Sequence, residues 1–222
     1  MESSEIRKIK LERLEKLRPL FSFLPFVNFV LVAGSLAFGN PKETSDFDVI
    51  LGCRKNRIWT ARAFAMVVFS FHGVRRTSKQ KGVEASDKIC LNHFVTPNSY
   101  RLHETHNEYW QKLYQNLIPF AGDKHEIEKF FIANENWSKK ERLDFNVNPI
   151  ISTHKNLLEF VLAGLLGDWL EGVLKFIQLK KINTNPPDPN HKPRIIISDE
   201  ELEFHPNTLR IEEYLFKIDK KM

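Results

Sequence analysis

Apolar positions fall into two rhythms along this chain. The first hundred residues mix helical spacing with short strand-like runs; from about residue 105 helical spacing takes over. Residues 4–17 place Ile6, Ile9, Leu14 and Leu17 at helical intervals, with Ser3 or Ser4 as a cap and Pro19 just beyond the end. Phe21 to Phe26 is an apolar connector broken by Pro25. A strand is predicted over 27–33, a short helical turn at Gly34-Ser35-Leu36-Ala37, a loop at Gly39-Asn40-Pro41-Lys42 and a second strand over 46–51. A helix over 58–71 follows, its Trp59, Ala63, Met66, Val67 and Ser70 implying burial on more than one side. A basic loop spans 73–82, and a third strand, 89–95, stops at Thr96-Pro97-Asn98.

Beyond this, helices are predicted over 106–118 (ended by Pro119), 126–134 and 153–182. Gly164 and Gly167 in the last allow a kink or the close approach of a neighbour. Residues 186–193 hold four prolines and read as a linker. A short strand at 194–197 and a helix over 207–219 complete the pattern. The expected organisation is an α/β (α+β) core over 1–104 with a mixed sheet flanked by helices, a helical lobe over 105–184, and a linker with a strand-helix tail over 185–222.

Composition changes this picture little. The 222 residues suffice for a real core, and 42% apolar with 27% charged residues is ordinary for a globular chain. A formal charge of +5 is compatible with nucleotide or RNA ligands without identifying one. Cys53 and Cys90 have neither disulfide nor metal spacing, and read as buried free thiols in a reducing compartment. No signal-peptide pattern opens the sequence. The longest apolar stretch, 157–177, carries Glu159, Asp168 and Glu171, which speaks for a core helix and against a membrane span. A cytoplasmic location is expected.

The chemistry concentrates in residues 30–51. The first predicted strand ends in Gly34-Ser35; ten residues later Asp46 and Asp48 enter a second apolar run. Strand alternation puts these two carboxylates on one face with Phe47 directed into the core. Such a pair is costly unless a cation sits between them, and Mg²⁺ held jointly by carboxylates and a substrate's phosphates fits that need. The Gly-Ser turn lets backbone N–H groups approach a phosphate.

An apolar strand, Gly-Ser, a spacer of about ten residues and Asp-x-Asp in a second apolar strand together resemble the nucleotidyltransferase superfamily typified by DNA polymerase β. The resemblance covers about residues 25–97. It implies an Mg²⁺-dependent transfer of a nucleoside monophosphate from an NTP, with ATP the first expectation, and release of pyrophosphate. It assigns Asp46 and Asp48 as metal ligands and Gly34 and Ser35 to the β,γ-phosphates. Asn40, Lys42 and Ser45 are polar spacer residues that a loop can present to phosphate. The acceptor, which in the family is a small-molecule hydroxyl, a protein side chain or an RNA end, is not identified by fold.

One position departs from the family pattern. The third carboxylate is expected on a neighbouring strand, where Asn92 stands; an amide supplies neither negative charge nor a general base. Asp87 at the strand's entry, His93, or Glu104 or Glu108 from the helical region are the substitutes to consider, and a non-catalytic NTP- or partner-binding module is the alternative. A third reading, an RNA-binding accessory protein, would use the basic groups Arg54, Lys55, Arg57, Arg75, Arg76, Lys79 and Lys81, although solvated loops account for them as simply. The histidines show no metal spacing: His103 and His106 read as surface or helix-start residues and His205-Pro206 as a turn. Trp110, Trp137 and Trp169 read as helix packing.

Overall fold

A computed structural model describes residues 2–104, 106–138, 147–150 and 153–205, together with Thr208 and Ile211. Its strands are β1 (Val27–Val32), β2 (Phe47–Cys53), β3 (Ile89–Val95), β4 (Ile118–Gly122), β5 (Arg194–Ile197) and β6 (Glu201–His205). They form one mixed sheet in the order β4-β1-β2-β3-β6-β5, parallel between β2 and β3 and antiparallel elsewhere. Among the helices, α1 is Ser3–Phe21, α2 Gly34–Ala37, α3 Ile58–Phe71, α4 Glu108–Asn116, α5 Lys124–Ser138, α6 Thr153–Val161 and α7 Leu165–Asn183. None of the described helices is long and apolar enough to cross a membrane.

Alternation along β2 sorts the core into two. Phe47, Val49 and Leu51 pack with Leu14, Phe21, Ile58, Trp59 and Phe69 of α1 and α3, and α7 adds Leu170 and Leu174 to this side. Ile50 faces the other way and joins Phe29, Leu31, Trp110, Tyr114 and Phe130, under α4 and α5. The sheet is thus covered on both faces, and β1 and β2 are apolar on both because both are buried.

Several elements depart from expectation. Helix α1 continues past Pro19 at the cost of that residue's bond to the preceding turn, and Phe21 makes edge contacts with Phe69 and Phe120. Residues 117–119 do not end a helix; Pro119 lies inside β4, the border strand, which pairs with β1 and meets Asn148 only through a bridge at Ala121, so a missing N–H at 119 is tolerated. The single helix expected over 153–182 is two, broken between Val161 and Leu165, with Gly164 in extended backbone at the N-terminus of α7. Strand β6 was not anticipated. On α3, Trp59 is buried, but Val67 and Ser70 are exposed. The strand at 194–197 forms as β5, while the helix expected over 207–219 lies almost wholly outside the described residues. Strands from all three expected segments, 1–104, 105–184 and 185–222, share the one sheet.

The three acids of the long apolar stretch hold α6 and α7 in place. Glu159 Oε1 accepts from the backbone N–H of Phe26 at 2.7 Å. Asp168 meets Arg57, which is 7% exposed and also donates to the carbonyls of Leu162 and Ala163. Glu171 takes the N–H groups of Trp59 and Thr60 at 2.9 and 2.8 Å, and so caps α3 from another helix. Arg57 is therefore a structural residue rather than part of a solvated basic loop.

Candidate active site

Gly34 opens α2 directly after β1, with φ +62°, a conformation that glycine adopts without strain. A Cβ at this position would lie 2.0 Å from Asp48 Oδ2. The backbone of the Gly-Ser turn is thus pressed against the second aspartate. Ser35 donates to Ser45 Oγ at 3.1 Å, and Ser45 Oγ also accepts the backbone N–H of Lys42 at 2.9 Å. Ser45 is bound into the turn through its side chain, while Lys42 and Asn40 are tied to it by backbone N–H groups and are both exposed on its rim.

Asp46 and Asp48 come together as alternation requires. Their carboxylate oxygens and Cys90 Sγ lie within 4.8 Å of one another, with Phe47 fully buried behind them. Burial, reinforced by the charge of Asp46, pushes the pKa of Asp48 up to about 6. Arg76 Nη1 sits 2.9 Å from Asp46 Oδ2, but not in hydrogen-bonding alignment, so this buried oxygen has no hydrogen-bond partner among the described residues. Of the basic loop residues, Arg76 alone pairs with the two aspartates; Lys79 and Lys81 are exposed.

The third strand carries a feature that alternation does not anticipate. Pairing of β2 with β3 runs Phe47↔Ile89 and Asp48↔Cys90, then skips to Ile50↔His93. One extra residue in β3 forms a bulge, so Cys90 and His93 are register partners of Asp48 and Ile50 on a single face. Leu91 packs into the opposite core. Asn92 Nδ2 donates to Asp48 Oδ1 at 3.3 Å. At the position of the expected third carboxylate, the side chain therefore orients Asp48 instead of adding charge.

The proposed substitutes are placed as follows. Asp87, at φ +60°, pairs with Lys10 at 2.8 Å and with Arg13 at 2.5 Å, and Lys10 also donates to Ser45 O and Ser86 Oγ. Both its oxygens are engaged in tying α1 to the loops below the site, and it is not part of the Asp46–Asp48 cluster. Glu104 and Glu108 are exposed. His93 is buried against Glu201 of β6.

Strand β6 brings groups that sequence reasoning missed. His93 pairs in register with Glu203, and Arg194 of β5 with His205. Glu201 and Glu203 are both 0% exposed and lie beside His93, His103, His205 and Arg194. The alternation Glu201-Leu202-Glu203-Phe204-His205 carried this signal, since Leu202 enters the core while the acids share the other face. His103 and His205 thus have carboxylate partners and are not simple helix-start or turn residues. Trp110 is buried and stacks near His205 and under Arg194; Trp169, in contrast, is 65% exposed.

A cleft of about 510 Å³ opens beside the aspartates between α2 and α4, lined by Ser35, Phe38, Asn40, Tyr109, Lys112 and Asn116. It offers a cation, amide groups and two aromatic rings next to the Gly-Ser turn. No family model, curated protein or solved structure matches the chain.

Proposed function

We propose that this protein binds a magnesium–nucleoside triphosphate complex, ATP first among the candidates, and transfers its nucleoside monophosphate to an acceptor. The observation that carries this reading is the contact of Gly34 with Asp48: a phosphate-approaching turn and a carboxylate pair meet with no space for a side chain between them.

The donor set fits Mg²⁺. Asp46 and Asp48 offer hard oxygen ligands, the buried Asp46 Oδ2 lacks a hydrogen bond, and the mutual repulsion that raises Asp48 is what a divalent cation relieves. Cys90 is a soft donor and its pKa is raised by burial, so it is not a ligand for this ion. When bound, Mg²⁺ would neutralise charge that develops on the phosphates during transfer.

The chain's own residues supply the remainder. Backbone N–H groups at Gly34 and Ser35 approach the terminal phosphates, and Ser35 is held by Ser45. Arg76 lies at the same carboxylates and contributes positive charge toward the triphosphate. The cleft lined by the paired rings of Phe38 and Tyr109 receives the base or the acceptor. In the transfer, an acceptor oxygen bonds to the α-phosphorus and the bridging bond to the β-phosphate breaks, its electron pair leaving with pyrophosphate. The acceptor's proton passes to solvent water, since the metal-holding carboxylates and the Asn92 amide supply no free base.

A second reading has its own support. Asn92 occupies the position of the third carboxylate and Arg76 pairs with Asp46, an arrangement that also suits NTP binding without turnover. The two are separated by incubating the protein with Mg²⁺ and each α-labelled NTP, alone and with cell extract. Label transfer with pyrophosphate release, lost in Asp48→Ala, supports the transferase; saturable NTP binding without release assigns the binding module. Absence of both, with RNA binding that falls steeply with salt and is unaffected by Asp46→Ala, would point to the RNA-binding alternative.

A further inference from the structure

The second cluster, on β6, has no role in the nucleotide reading and differs from the first in chemistry. It shares no residue with the Asp46–Asp48–Cys90 group, and its donors are imidazole nitrogens and carboxylates. One ligand atom from each of His93, Glu201 and Glu203 falls within a 4.8 Å group, and all three residues are buried.

Glu201 and Glu203 are both without solvent exposure. Among the described residues, Arg194 stands 2.8 Å from Glu203 Oε2, and Glu201 faces His93 and His103. Buried carboxylates are held either by paired groups or by a metal ion.

Two oxygens are also oriented in an unusual way. Glu201 Oε2 is 3.1 Å from His103 Nε2, and Glu203 Oε1 is 3.1 Å from His205 Nε2; neither pair has hydrogen-bond alignment, and both oxygens are buried and unpartnered by hydrogen bonds among the described residues. These two buried oxygens are open to a further ligand, and His93 Nε2 lies 2.9 Å from the other oxygen of Glu201.

We propose that His93, Glu201 and Glu203 bind a divalent transition metal of the Zn²⁺ class, with His103 and His205 at the margin of the site, separately from the Asp46–Asp48 pair. Imidazole in the donor set selects Zn²⁺ or Co²⁺ over Mg²⁺ and Ca²⁺. The ion ties β6, and through Arg194 and Glu203 the β5–β6 hairpin, to β3 and to the loop that bears His103. His103, 62% exposed, marks the side from which the ion enters.

The test uses chelator-stripped full-length protein titrated with Zn²⁺ alone by calorimetry and with Co²⁺ alone by visible d–d absorption. In Asp48→Asn, which removes one carboxylate of the other pair, one ion per chain is expected with the Co²⁺ bands present, and adding Glu203→Gln weakens that binding at least tenfold. Should Glu203→Gln fail to fold, crystals of the wild-type protein soaked in Zn²⁺ decide the matter at the zinc absorption edge: an anomalous peak between His93, Glu201 and Glu203 upholds the site. The proposal is overturned if the wild type binds neither ion, if binding is lost in Asp48→Asn and kept in Glu203→Gln, or if no peak lies at these residues. Because Asp48→Asn removes nucleotide chemistry and spares this site, failure of one reading leaves the other intact.

Discussion

Gly34 and Asp48 occupy adjoining space: a methyl group on Gly34 would overlap Asp48 Oδ2 at 2.0 Å. Sequence separates the two by fourteen positions, and the antiparallel pairing of β1 with β2 brings them into contact. The turn and the acid therefore work as one unit.

Gly34→Ala tests that unit. The left-handed backbone alone costs a residue with a Cβ about 1–2 kcal/mol, and the overlap forces Asp48 to move. The expected result is a Tm lower by at least about 2–4 °C, with NTP binding reduced more than tenfold by equilibrium titration. A variant that binds NTP as the wild type does would remove the basis for the proposed phosphate site.

Asp48 should make metal-free stability depend on pH. Its folded-state pKa of about 6 lies above the usual carboxylate value of 3.8, so ionisation opposes folding. Stability is lost as pH rises between about 4 and 6 and does not return above that range. In urea titrations without metal, Asp48→Asn should be more stable than wild type by about 1–3 kcal/mol at pH 8 and by progressively less toward pH 4. Mg²⁺ should raise the wild-type Tm at pH 8 and leave that of the variant unchanged.

Asp87 is expected to be structural. Asp87→Asn leaves Lys10, 1% exposed, with neutral acceptors only (Ser45 O, Ser86 Oγ and the amide oxygen), at a cost of about 3 kcal/mol for the lost counter-charge. Chemical denaturation would report that loss. NTP affinity per folded molecule should stay within twofold of wild type; a selective loss of turnover at full stability would instead make Asp87 the missing carboxylate.

Glu171 offers a test of how α7 is held. Glu171→Gln keeps one acceptor for the three donors at the start of α3 and should cost about 1–2 kcal/mol in urea unfolding. Raising the salt concentration should not reproduce the effect, since these bonds run to backbone N–H groups and to the Thr60 hydroxyl.

The legible part of the sequence was the part where local pattern and tertiary role agree. β1, the Gly-Ser turn, β2 and β3 lie where apolar runs and punctuation placed them, and Asp46 and Asp48 share a face because β2 is regular there. The bulge was invisible: nothing in Ile-Cys-Leu-Asn-His-Phe-Val announces an extra residue, so plain alternation placed His93 and Asn92 on opposite faces and missed that Cys90 and His93 are partners of Asp48 and Ile50. β6 was hidden for a different reason. Acids at 201 and 203 argue locally against a buried strand, and their burial depends on His93, His103, His205 and Arg194, three of which lie outside the strand. Pro119 concealed β4, because the exemption that a border strand gives to proline depends on the completed sheet.

The place of β6 beside β3 has a consequence for synthesis on the ribosome. β2 and β3 are complete once residue 95 has emerged, but the far edge of β3 stays open until residues 201–205 arrive more than a hundred positions later. In that interval the nascent chain exposes unpaired backbone next to the Asp46–Asp48 pair, with His93 still lacking Glu201 and Glu203. Such an edge invites pairing with another strand. Closure by a late, acid-bearing strand would then make the proposed nucleotide chemistry depend on a segment translated long after the aspartates themselves.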